Sequence, residues 1–239
     1  VAEFYEIMHN GGFDVIIGNP PYVVYTDNRL PYHIGIEYST LSCANLYAYC
    51  IERSQSLLNK DSHFGMIVPN SSVSADKMAP LQRIIRKEHT CWITNYSWRP
   101  SKLFEGADML LAIIINCPSE TDITYSSIYH KWYNEYRECL FNNINYVEVS
   151  DEVIDGSIPK VPNLLVYSIM EKMRKASGKK VLSGDFHVSP TKYFLYYFRA
   201  VQYWFKVLDR IPVFLEDGED KVTGEMKTIY VASNRDKYD

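Results

Sequence analysis

At 239 residues, with 46% apolar and 23% charged side chains, the chain can bury one large core or two small ones, and disordered and fibrous classes are excluded. The formal net charge of −4 does not point to a nucleic-acid partner, although basic residues group locally as RIIRKEH (83–89) and KMRKASGKK (172–180). No apolar run is long enough to span a membrane and no signal peptide is visible. The five cysteines contain no CxxC pair, which fits a reduced, cytoplasmic protein without structural zinc.

In chain order, FDVII (13–17) is a short continuous apolar run between Gly-Gly and Gly-Asn-Pro-Pro, the pattern of a buried strand in a parallel-type sheet. Residues 42–59 repeat apolar positions at helical spacing, with Ser42 as the expected N-cap. HFGMIVP (63–69) reads as a strand stopped by proline. APLQRIIRKE (79–88) reads as a helix that tolerates Pro80 in its first turn. CWITNYSW (91–98) and DMLLAIIIN (108–116) are two further strands, the pair resembling a closing hairpin. This alternation predicts an α/β fold.

Beyond residue 118 the texture becomes aromatic and polar, with weak periodicity. A proline-flanked helix follows in IPKVPNLLVYSIMEKMRKASGKK, then short β-like runs (TKYFLYYFRA, IPVFL, KTIYVA) between charged turns. The expected division is 1–150 and 151–239. Because the chain opens on valine immediately before a core strand, it reads as part of a longer protein.

The segment FDVIIGNPPYV (13–23) carries the most chemistry. Ligands of open α/β sheets bind outside the carboxyl ends of the strands. Two prolines fix the backbone there, and Pro21 holds Pro20 extended. Asn19 offers a side-chain oxygen, Pro20 a carbonyl and Tyr22 a flat apolar face, which together suit a planar amine. The bland alternative is an Asn-Pro-Pro turn followed by a surface tyrosine.

Residues 13–23 resemble the catalytic motif, (D/N)PP(Y/F), of S-adenosylmethionine-dependent amino-group methyltransferases such as adenine DNA methylases. NLYAYCIERSQSLLNKDSHFGMIVP (45–69) and SWRPSKLFEGADMLLAIII (97–115) resemble the segments that follow it in large bacterial enzymes of the fused, type IIG-like restriction–modification branch. The resemblance implies the C-terminal half of a Rossmann-like methyltransferase sheet, then part of an α+β target-recognition region.

It implies DNA adenine methylation, with Asn19, Pro20, Pro21 and Tyr22 catalytic. Tyr22 and Phe104 would stack on a base flipped out of double-stranded DNA. Asn19 and Pro21 would also touch the cofactor, S-adenosylmethionine. The family's glycine-rich loop and acidic cofactor residues are missing here, so the main cofactor motif is expected upstream and the chain is expected to be inactive alone.

Arg99, Lys102, Lys172, Arg174, Lys175, Lys179 and Lys180 are candidates for DNA-backbone contacts, with solvated surface charge as the other reading. The histidines lack metal spacing. Two alternatives remain open. One is a methyltransferase of the same fold acting on protein glutamine or RNA, and the other a non-catalytic DNA-binding module.

Overall fold

The computed structural model describes residues 4–26, 31–154, 156–178, 184, 186–198 and 207–231. The contacts divide the chain into two units, Val1–Glu171 and Lys172–Asp239.

The first unit is an α/β layer built on one six-stranded sheet. A short helix α1 (Tyr5–His9) precedes β1 (Phe13–Gly18), and α2 (Leu46–Gln55) then leads into β2 (Leu58–Pro69). Next come α3 (Ala79–Arg86), β3 (His89–Tyr96), β4 (Leu111–Pro118), β5 (Ile123–His130), β6 (Val147–Glu148) and α4 (Leu164–Ala176), whose residues from Lys172 onward belong to the second unit. The strand order is β1-β2-β4-β3-β5-β6. β1 and β2 run parallel, joined by a crossover through α2, and β3 and β5 also run parallel. β4 lies antiparallel between β2 and β3, so the two C-terminal strands of the expected hairpin do pair, but β4 occupies the sheet's interior rather than closing it from outside.

One face of the sheet makes the core. Phe64, Met66, Val68, Cys91, Ile93, Ala112, Ile114 and Val147 are buried there beneath Tyr47, Ala48 and Ile51 of α2 and Leu81 and Ile85 of α3. This is the α/β layering that the alternating pattern predicts. α3 tolerates Pro80 because the first helical turn has no intrahelical use for that N–H.

Three expectations need correction. Among the described residues β1 is an edge strand with one partner, and Val15 and Ile17 are 55% and 78% exposed, not buried. An apolar run records that both faces of a strand are apolar, not that both are covered. α2 starts after Asn45 and not after Ser42, because residues 41–43 form a 3₁₀ turn and Ala44 adopts a left-handed conformation (φ 47°) that interrupts any earlier helix. Strand β5, over ITYSSIYH, lies in the stretch read as only weakly periodic, where no strand is expected.

β5 is held by polar contacts that hydrophobic pattern cannot show. Asn95 Nδ2 donates to the Ser127 carbonyl (2.8 Å), and Arg86 Nε donates to Thr124 Oγ1 (3.0 Å). Asn70, at the end of β2, donates to Asn95 Oδ1 (2.7 Å) and accepts from the Tyr129 hydroxyl (2.5 Å). This satisfied polar chain fixes the carboxyl ends of β2, β3 and β5 relative to one another. Buried Gln82 of α3 adds a second tie, donating to the Ser72 carbonyl (3.1 Å) and accepting from the Gly156 N–H (3.1 Å).

The second unit holds a four-stranded antiparallel sheet, ordered β7 (Phe186–His187), β12 (Met226–Val231), β8 (Phe194–Phe198) and β9 (Val207–Leu208). It also holds a hairpin of β10 (Val213–Glu216) and β11 (Glu219–Val222). Asp217 and Gly218 both have positive φ (56° and 83°), the geometry of a type I′ turn that the Asp-Gly pair encodes.

Candidate functional site

Because β1, β2, β3 and β5 point the same way, their carboxyl ends, Gly18, Pro69, Tyr96 and His130, share one edge of the sheet. The Asn-Pro-Pro-Tyr segment leaves that edge from β1. Asn19 is exposed, and its side chain makes no hydrogen bond among the described residues. Pro20 is buried and Pro21 exposed, and the two rings fix the backbone where it leaves the strand.

Tyr22 is half-buried. Its hydroxyl donates to the Ile67 carbonyl of β2 (3.0 Å), one residue beyond the last β1–β2 pair, Gly18 with Met66. Burial pushes this phenol up to about 12, so it stays a donor throughout the working pH range.

Tyr22 and Phe104 meet one apolar cluster. Tyr96, Leu103, Ala107, Leu111, Trp132 and Leu140 are buried together, and the rings of Tyr22 and Phe104 pack against them. Two aromatics separated by eighty-odd residues of sequence are thus brought to the same patch at the strand ends. Beside it lies a cleft of about 590 Å³ whose walls include Trp98, Arg99, Phe104, Glu105, Asn134 and Arg137.

The candidate cations differ in how free they are. The Arg99 guanidinium lies 4.0 Å from the Trp98 ring centroid and makes no ion pair among the described residues. Lys102 is already engaged, with its ammonium 2.9 Å from Asp108 and 3.5 Å from Glu105, and the hydrogen bond to Asp108 raises its pKa. Lys172 and Lys175 are exposed and Arg174 half-buried on the last turns of α4, in the second unit. Lys179 and Lys180 lie outside the described residues.

Two groups of note escaped the sequence reading. Lys160 lies over the Tyr129 ring, 5.3 Å from its centroid, and burial lowers its pKa to about 8. Arg137 reaches back 34 residues to the loop before Phe104. Neither carries a motif, and only the tertiary fold brings them to this edge. Among the described residues no group of three or more His, Cys, Asp or Glu side chains can hold a metal ion, and all five cysteines are free thiols. No helix among them is long and apolar enough to cross a membrane.

Residues 1–104 match the model of the Eco57I restriction-modification methylase family. No curated protein matches the chain. Among solved structures, the chain is similar to a nuclease-deletion mutant of the Type ISP restriction-modification enzyme LlaGI in complex with a DNA substrate mimic. Identity there is 18% and the TM-score 0.48, over 65% of this chain and 19% of that one.

It is similar also to DrdV in a DNA complex, with 15% identity and a TM-score of 0.48 over 62% of this chain and 18% of that one. A putative class I S-adenosylmethionine-dependent methyltransferase from Listeria monocytogenes gives 18% identity and a TM-score of 0.34, over 47% of this chain and 33% of that one. The chain therefore spans less than a fifth of the length of the first two.

Proposed function

We propose that this chain forms the methyl-acceptor half of a restriction–modification methyltransferase that modifies the exocyclic amino group of adenine in double-stranded DNA. The observation that carries the reading is the placement of Asn19-Pro20-Pro21-Tyr22 at the carboxyl end of β1. There the Asn19 amide is exposed and unengaged among the described residues, and Tyr22 shares its apolar patch with Phe104. The family match over 1–104 supports it, since that span contains the whole motif.

The chemistry needs few groups. The exocyclic nitrogen of adenine is a weak nucleophile because its lone pair is delocalised into the ring. The Asn19 side-chain oxygen and the Pro20 carbonyl each accept one of its hydrogens, which lets the nitrogen pyramidalise and directs its lone pair outward. Tyr22 on one face and Phe104 on the other hold the flipped base and keep water off it. Catalysis is positioning and preorganised polarity, with no covalent enzyme intermediate. S-adenosylmethionine, when bound, supplies the electrophilic methyl group. Asn19 and Pro21, both exposed at the strand end, are the residues of this chain that fit its methyl side. Arg99 is the cation of this edge best placed for a DNA phosphate, since Lys102 is held by two carboxylates.

The test is methyl transfer from labelled S-adenosylmethionine to duplex DNA, by this chain and by the whole protein that carries it, with Asn19→Ala in parallel. Label on adenine, reduced at least a hundredfold by Asn19→Ala while DNA affinity stays within about threefold, supports the proposal. Label on RNA or on a protein glutamine instead of DNA replaces it with the other substrate class. DNA binding without transfer to any acceptor replaces it with a binding module.

A further inference from the structure

The loop that carries Phe104 has neither helix nor strand to hold it. From Ser97 to Leu110 the backbone is turns and bends between β3 and β4, so its polar groups need partners elsewhere. Arg137 supplies two. Its Nη2 donates to the Leu103 carbonyl (2.5 Å) and its Nη1 to the Lys102 carbonyl (3.3 Å).

The arginine is itself anchored. The Leu140 N–H donates to the Arg137 carbonyl (3.1 Å), and Leu140 is buried with Leu103 in the cluster on which Phe104 rests. On the far side of the loop, the Ala107 N–H donates to the Phe104 carbonyl (3.3 Å). The backbone immediately before Phe104 is thus clamped by one side chain.

We propose that Arg137 is a positioning residue that sets the pitch of the Phe104 ring against the flipped base. The inference rests on the reading of Phe104 as a stacking face. A planar guanidinium fork reaches two successive carbonyls at once in fixed geometry, whereas the three donors of an ammonium radiate from one nitrogen and span the two carbonyls less well. Loosening the clamp leaves the rest of the DNA contact surface in place. The loss therefore falls on the alignment of the base for reaction and much less on binding.

The experiment compares Arg137→Ala, Arg137→Lys, Phe104→Ala and the double variant Arg137→Ala/Phe104→Ala in the whole protein that carries this chain. The expected result is a roughly tenfold fall in kcat for Arg137→Ala, with KM for DNA within about twofold, and partial recovery in Arg137→Lys. The double variant is no slower than Phe104→Ala alone, because both changes remove the same stack.

With 2-aminopurine in place of the target adenine, Arg137→Ala raises the bound-state fluorescence toward that of Phe104→Ala. A merely structural role does not give that signature. Additive losses in the double variant, or unchanged kcat and fluorescence in Arg137→Ala with an active wild type, overturn the inference and leave the functional reading intact. A wild type that transfers no methyl group to DNA overturns the reading and the inference together.

Discussion

Changing Tyr22 to phenylalanine removes one oxygen and leaves the ring that packs against the Tyr96–Trp132 cluster. The Ile67 carbonyl of β2 then loses the hydroxyl that donates to it at 3.0 Å. A net hydrogen bond contributes about 1 kcal/mol, and stranding a part-buried acceptor raises the cost toward about 2 kcal/mol. For a unit of this size each kcal/mol moves Tm by about 2–4 °C, so a drop of about 2–8 °C is expected. Activity should stay within about threefold of wild type, since a base stacks on phenylalanine as well as on tyrosine.

Tyr22→Ala removes the ring too and should cost several kcal/mol and at least a hundredfold in transfer rate. Differential scanning calorimetry beside a methyl-transfer assay reads both quantities. If Tyr22→Phe abolishes transfer while Tm is unchanged, the hydroxyl acts on the substrate and its tie to Ile67 is incidental, which refutes the reasoning.

Two further outcomes follow from ionisation. Lys160 is charged in both folded and unfolded states below its folded pKa of about 8, and that depressed value puts a penalty of at most about 3 kcal/mol on the fold at neutral pH. Between about 8 and 10.5 the unfolded chain binds more protons, so stability attributable to this residue rises with pH through that window. Lys160→Met should accordingly raise stability at pH 7 by about 1–3 kcal/mol and flatten that rise in urea titrations; a destabilised variant would show that the ammonium's contact with Tyr129 outweighs its burial.

For Glu52, burial pushes the carboxyl up, but donors from Ser39 and Thr40 outweigh it and hold the pKa below the ordinary value. Its stabilisation is present above the unfolded pKa and is lost as pH falls through the lower folded value. Glu52→Gln should cost about 2 kcal/mol at pH 7, and that cost should shrink as pH falls below the ordinary carboxylate range, a trend readable from denaturant midpoints across an acid series.

Much of the sheet was legible because its strands are apolar and its punctuation is strong. Gly18-Asn19-Pro20-Pro21 ends β1 and Pro69 ends β2 as the sequence requires, and the motif sits at a carboxyl strand end where the α/β rule places ligands. β5 was hidden because Thr124, Ser126 and Ser127 are buried polar residues, and their partners come from elements far along the chain. A hydrophobic pattern cannot record a hydrogen bond to Arg86 or Asn95.

The start of α2 was misplaced for a related reason. Ser39 and Thr40 spend their hydroxyls on Glu52, one turn from the helix's end, and the chain enters the helix only after the left-handed Ala44. Of the site, the Asn-Pro-Pro-Tyr segment and Phe104 were visible as residue types. Arg137 was not, since its role exists only through a loop 34 residues away.

The interior position of β4 also governs how this protein can be cut. β2 and β3 are not adjacent; each pairs with β4, and among the described residues no other strand joins β1–β2 to β3–β5–β6. A piece ending at residue 104 would keep β1, β2 and β3 but leave the last of these detached, with one edge of β2 and both edges of β3 open to other chains. On the ribosome the same holds. The sheet cannot be joined until Pro118 has been made and has cleared the exit tunnel, so β2 waits through some fifty residues of synthesis for its antiparallel neighbour. For expression, the shortest sensible boundary thus lies beyond β4, however much of the recognisable motif lies before it.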